Sequence, residues 1–319
     1  LNATLWEIAI LLSKWLSYLA MVATPGAVFV AWLCRQVPTG SPDAEPPGID
    51  RRLLSHFLLP AAVLGILACS VFFLFQVGAI NQRGPGGMFD PVMSQILAQT
   101  ALGDGVRWRL SGFFLALVAT GLWYVSRSLP AAKATPLILS SQVIITLTAA
   151  ALLCIAVSFA VLGHVSQLAT ISRLMLVLHI AAVCLWAGSF IPLYALCSAQ
   201  IQGRNGCDRQ SLQSLLVLFS QALWIVLSAL LVSGLWLIWQ LNPDFSALLA
   251  TSYGQVMLLK LALVAGLLAL GARHKFSLVP ALMLDGASRL RRSIRLQMGL
   301  AALILLVTAV FTTMTGPAG

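Results

Sequence analysis

The chain has 319 residues, of which 60% are hydrophobic and only 9% are Asp, Glu, Lys or Arg. A soluble domain carries roughly a quarter charged residues, so this composition excludes a water-soluble globule and predicts an all-α, polytopic membrane protein. The net charge of +10 does not indicate nucleic acid, because no basic patch is interleaved with stacking aromatics; it reads as the Lys and Arg excess of cytoplasmic loops.

A bilayer core of ~30 Å takes about 20 apolar residues at ~1.5 Å each. On that measure the charge-poor stretches predict eight spans, near 11–34, 55–78, 106–126, 137–162, 174–197, 214–240, 252–272 and 294–315. The first is too long for the apolar region of a signal peptide and lacks a small-x-small cleavage site, so it is read as a span. The connector after it holds Pro38, Gly40, Pro42, Pro46, Pro47 and Gly48. The connector after the second span, about 79–105, is the one long external segment and carries the turn formers Gly84, Pro85, Gly86 and Gly87. Thirteen Lys and Arg fall on one side of these spans: Arg35, Arg51, Arg52, Arg127, Lys133, Arg204, Arg209 and six in 273–295. Five fall on the other (Lys14, Arg83, Arg107, Arg109, Arg173), and Lys260 lies inside a span. This bias places both termini outside, which in a bacterial inner membrane is the periplasm. None of the six cysteines falls in an external loop, so no disulfide framework is expected.

The two halves echo each other. Thr100, Gly103, Arg109 and Leu110 read T-x2-G-x5-[RK]-L, and so do Thr251, Gly254, Lys260 and Leu261. Gly163 and Gly316 close the fourth and eighth spans, and Gly26 parallels Gly188. Four spans return a chain to its starting side, so the halves, 1–165 and 166–319, read as a parallel 4+4 pseudo-repeat.

Ionisable groups inside spans are functional candidates by default. No Asp or Glu lies beyond the first turn of any predicted span, and no P-loop, Ser-His-Asp or Cys-x-x-Cys arrangement occurs. An enzyme is therefore not expected, nor transport driven by ATP at this chain. Of the histidines, His56 and His274 sit among Arg and Lys and read as interfacial or head-group contacts. His164 ends the fourth span, and His179 lies six residues past Arg173, ~9 Å below the outer surface. Met175 shares the helical face of His179. Imidazole with thioether suits copper, so His164, His179 and Met175 are the candidate metal ligands. Met88, Met93, Met314, Cys154 and Cys184 are weaker candidates. Arg109 and Lys260 read as structural or electrostatic, since a cation does not coordinate a cation.

Leu178-His179 followed by Trp186-Ala187-Gly188 resembles the LH-x6-WxG signature of the copper resistance protein D family. Phe219-Ser220, Ser233-Gly234, Thr251-x-Tyr253-Gly254, Leu258-Leu259-Lys260-Leu261, Leu278-x-Pro280-x-Leu282 and Arg292-Ser293 follow in that family's order. Trp108-Arg109 and Gly163-His164 are similar to its first half. The chain departs from the family at Arg273-His274, often Asn-Arg, and at Gln297, near which an acidic residue is common. The resemblance implies an inner-membrane protein that works with a periplasmic copper chaperone of the CopC type and imports copper, with Trp186, Gly188, Thr251 and Gly254 in supporting positions. Two rival readings follow from the same residues. One is a haem- or copper-binding electron-transfer or metalloreductase protein, and the other a non-transporting docking receptor for the chaperone.

Overall fold

The computed structural model describes residues 4–37, 53–126, 141–203, 209–241, 251–281 and 286–314. The Pro- and Gly-rich connector after the first span, Arg51, Arg52, Arg127, Lys133, Arg204, Cys207, Leu282 and the Gly316-Pro317 pair lie outside these residues. The described helices are α1 (Leu5–Cys34), α2 (Leu59–Asn81), α3 (Pro91–Ala98), α4 (Ala101–Ser126), α5 (Ser141–Ala160), α6 (Thr170–Gly188), α7 (Phe190–Ile201), α8 (Arg209–Leu241), α9 (Ser252–Arg273) and α10 (Gly286–Met314). No strand occurs among the described residues.

Among the described residues, eight segments are long and apolar enough to cross a membrane, in the order expected: 5–34, 54–81, 101–126, 141–160, 170–201, 209–241, 252–278 and 287–313. Eight crossings bring the chain back to the face on which it began, called here the terminal face.

Three spans depart from plain α-helix for identifiable reasons. The expected single helix 174–197 is broken into α6 and α7 at Ser189. Pro192 has no N–H to offer the Gly188 carbonyl; the Ser189 N–H turns to the Trp186 carbonyl at 3.2 Å, and the Ser189 hydroxyl takes the Leu185 carbonyl at 2.5 Å. π-turns occupy Leu54–Leu58 and His274–Leu278. Each stands just before a proline, Pro60 or Pro280, and the residue preceding that proline reaches back five residues for its acceptor: Leu59 to Leu54, and Val279 to His274.

α1 is the central helix. Within its most apolar window 72% of the residues are buried, against at most 39% in any other span. It packs against α2 on one side and against α6 and α10 on the other. Its crossing with α6 is built on the two glycines that pair in the sequence echo. A Cβ on Gly26 would lie 2.0 Å from the Gly188 carbonyl carbon, and one on Gly188 would lie 1.9 Å from the Val22 oxygen. Backbone meets backbone there, as small residues permit between membrane helices.

The 79–105 connector is more ordered than its turn formers predict. A 3-10 turn, Pro85–Phe89, leads into α3. Asp90 caps α3, accepting from the Met93 N–H at 2.9 Å, and Pro91 takes the first helical position, where its missing N–H costs nothing. The Met93 N–H holds the Asp90 carboxyl below the usual aspartate range, with smaller help from Asn81, Val92 and Arg83. A lowered carboxyl contributes stability above its unfolded value and loses it as pH falls through the folded one. Asp90→Ala is therefore expected to raise proteolysis within 85–98 at neutral pH. Wild type should match that susceptibility only below the ordinary aspartate range of about 4. Equal cleavage of the two proteins at neutral pH would refute the cap.

Candidate metal site and the opposite-face cavity

His179 lies on α6, half-buried, with its ring turned toward α8. Nδ1 stands 3.3 Å from the Leu230 carbonyl oxygen and 3.3 Å from Ser233 Oγ. The Ser233 hydroxyl already donates its proton to the Ala229 carbonyl at 2.6 Å. Both neighbours of Nδ1 are thus acceptors, which assigns the ring proton to Nδ1. Nε2 then carries the lone pair, and it makes no hydrogen bond to any described residue. A metal-binding imidazole is normally prepared in this way, with one nitrogen held and the other free.

The close approach of α6 and α8 is local sequence chemistry. A Cβ on Gly234 would meet His179 Cε1 at 3.2 Å, so glycine there gives the ring its seat. Nearer the terminal face, Trp236 Nε1 donates to Ser172 Oγ at 3.2 Å and ties the same two helices. Lys260 is half-buried on α9.

The other candidates are dispersed. Met175 is half-buried one turn before His179 on the same helix. His164 opens a short 3-10 turn, His164–Gln167, after Gly163 at φ +76°. Its side chain, like that of Met314 at the end of α10, lies outside the described residues. Met88 and Met93 are half-buried in the connector that holds α3. Cys184 is fully buried in a core cluster with Tyr18, Met21 and Cys69, and Cys154 is half-buried on α5. Arg173 does not join His179. It is exposed and donates to Thr170 Oγ1 at 3.4 Å. No group of three or more His, Cys, Asp or Glu side chains converges among the described residues.

The residues read as structural have separate duties. Thr251 caps α9, its Oγ1 accepting from the Gly254 N–H at 3.1 Å. Thr100 of the matching motif instead donates to the Leu97 carbonyl at 2.7 Å, so the two motifs differ locally. Arg109 is only 4% exposed and donates through Nε to Ser158 Oγ at 3.2 Å. Trp186 packs edge-on against Phe190 at 5.9 Å.

Trp186 and Phe190 also line a cavity of about 180 Å³ between α8 and α9, closed behind by α7 and α10. Its polar lining includes Ser220, His274, Lys275 and the buried Gln297. His274 was expected at a lipid head group. Its ring instead turns inward, with Nε2 2.6 Å from Ser293 Oγ on α10, because the π-turn rotates it away from the exposed Arg273 and Phe276. The resemblance marks Ser233-Gly234 and Arg292-Ser293 but gives neither serine a partner; the pairings with His179 and His274 arise only from the packing of separate helices.

The fold defines a multi-pass helical membrane protein, in which the His179 ring of one span is hydrogen-bonded to the next. Residues 5–174 match the family described as Copper resistance protein D-like, N-terminal domain, and residues 213–311 match Copper resistance protein D. The chain belongs to the copper resistance protein D family. No curated protein and no solved structure matches it.

Proposed function

We propose that this protein moves copper inward across the bacterial inner membrane, from periplasm to cytoplasm, and so contributes to copper homeostasis and resistance. The observation that carries this reading is the free Nε2 of His179, held by the Leu230 carbonyl and Ser233 on a neighbouring helix. The donor chemistry fits a soft cation. The site offers an imidazole lone pair and a thioether one turn away, and no described span has an acidic residue beyond its first turn. His164, with Met88, Met93 or Met314, completes the set at the periplasmic face, and passage follows the interface of the two four-helix halves. Copper is the cargo of this protein, not a catalytic group, and the protein is a carrier and not an enzyme.

The terminal face is the periplasmic one, because thirteen of the nineteen Lys and Arg belong to the other side. The periplasmic chaperone of the CopC type docks on the connector bearing α3. Phe89, Val92 and Ile96 are all more than half exposed there, beside the half-buried Met88 and Met93.

The test is copper content, measured by mass spectrometry, in cells producing wild-type protein or His179→Ala at equal levels. Wild type is expected to raise cellular copper several-fold over empty cells, and the variant to remove most of that gain. Equal accumulation in both strains would overturn the assignment of His179.

A further inference from the structure

We propose that Lys14 of α1 and Arg109 of α4 bind a phosphate oxyanion between them, at the terminal-face end of the bundle. Lys14 Nζ donates to the Thr312 carbonyl at 3.0 Å and to Thr313 Oγ1 at 3.1 Å. It also stands 5.9 Å from the centre of the Phe72 ring. The Arg109 guanidinium lies 4.4 Å from the centre of the Phe159 ring. Tyr18 joins the two sides, with its ring 5.4 Å from Phe159 and its hydroxyl 3.5 Å from Thr312 Oγ1. Lys14 stands one helical turn before Tyr18 on α1, so the two cations border opposite ends of the Tyr18–Phe159 ring pair.

Every described partner of this pair is neutral. The described acids are engaged elsewhere: Glu7 accepts from the Thr4 N–H, Asp90 faces Arg83 and Asp104 faces Arg107. Hydroxyls, carbonyls and ring faces solvate a cation but do not cancel its charge. Two like charges with no described counter-charge inside a helix bundle are costly, which makes a bound anion favourable.

Arg109 is also left with donors to spare. Only Nε is engaged, and its two terminal nitrogens bond to no described residue. The one fully enclosed side-chain nitrogen or oxygen without a partner, among the described residues, is Thr148 Oγ1. The free nitrogens of Arg109 therefore border space that a water-sized molecule can enter. A planar fork beside an ammonium and the Tyr18 hydroxyl offers more donors than a carboxylate's two oxygens can accept, and it matches phosphate. Ser158 lies within three residues of the end of α5, and Thr312 within three of the end of α10, so the ligand enters from the terminal face. Inorganic phosphate and a phospholipid head group share this chemistry. Either one would relieve the positive charge that a cation meets at this face.

The test uses the full chain purified in neutral detergent. Phosphate replaces chloride at constant ionic strength while thermal unfolding is followed. Retained phospholipid is counted in parallel by native mass spectrometry after adding phosphatidylglycerol. Expected for wild type is a saturable rise of roughly 5 °C with phosphate, or one tightly retained lipid. Either is to be lost in Arg109→Gln and weakened in Lys14→Met. The phosphate result identifies a free anion, and the lipid result a head group. Should Arg109→Gln fail to fold, Arg109→Lys, which keeps the charge but not the fork, is expected to weaken binding about 10-fold. An unsaturable phosphate effect, equal in wild type and variants as general salting-out predicts, together with no Arg109-dependent lipid, overturns the proposal.

Discussion

Purified His179→Ala is expected to bind copper at least about 100-fold more weakly than wild type, and Ser233→Ala about 10-fold more weakly. The two losses have different origins. His179→Ala removes the donor atom. Ser233→Ala leaves it in place but takes away one of the two acceptors, 3.3 Å from Nδ1, that hold the proton off Nε2. The Leu230 carbonyl remains at 3.3 Å, so the ring keeps part of its preference, and a partial loss is the signature of this arrangement. Competition against a chelator of known affinity measures both variants. Wild-type affinity in Ser233→Ala would show that the Ser233 hydroxyl does not prepare the ring. Wild-type affinity in His179→Ala would remove this site from the pathway. Met175→Leu keeps size and shape, so a loss there reports the sulfur and not packing.

Gly188→Ala is expected to cost ~3 kcal/mol or more and to lower the midpoint of thermal unfolding by about 10 °C. The added methyl would sit 1.9 Å from the Val22 carbonyl oxygen and 3.0 Å from the Gly26 Cα. Those are backbone atoms of the most buried helix, so no rotamer change relieves the contact, and α1 and α6 must separate. Gly26→Ala is predicted to behave alike, because its methyl meets the Gly188 backbone at 2.0–2.5 Å. The control is Gly121→Ala on α4, where nothing lies within 4 Å. It should be neutral or gain up to about 1 kcal/mol from helix propensity. A Gly188→Ala midpoint no lower than that of Gly121→Ala would show that the α1–α6 crossing yields easily. Since His179 stands on α6, Gly188→Ala is also expected to weaken copper binding.

Much of the architecture was legible before any coordinates. Eight spans follow from charge-poor runs because a charge in hydrocarbon is expensive wherever it falls, and that cost depends on no partner. The breaks were less legible. The prolines at 60, 192 and 280 announce a missing N–H, but whether the helix answers with a π-turn or a full break depends on what carbonyl is within reach. At Ser189 a hydroxyl supplied the answer. The glycines at 26 and 188 could be matched as an echo, but their contact could not, since 162 residues of chain separate them. Lys14 was counted only toward orientation. Nothing local shows that it turns inward to the far end of α10, 298 residues away.

Composition by itself determined that the chain spans a membrane, and the scarcity of carboxylates left imidazole and sulfur as its candidate cation donors. Both conclusions rest on transfer energies that each residue carries alone. The tertiary structure decided which nitrogen of His179 is free, that His274 turns inward, and that Lys14 and Arg109 are held by neutral groups, with no described acid beside either. Each of these depends on where a second group stands. Hydrogen bonds and charge pairs act over a few ångströms of space, and the sequence does not encode that distance.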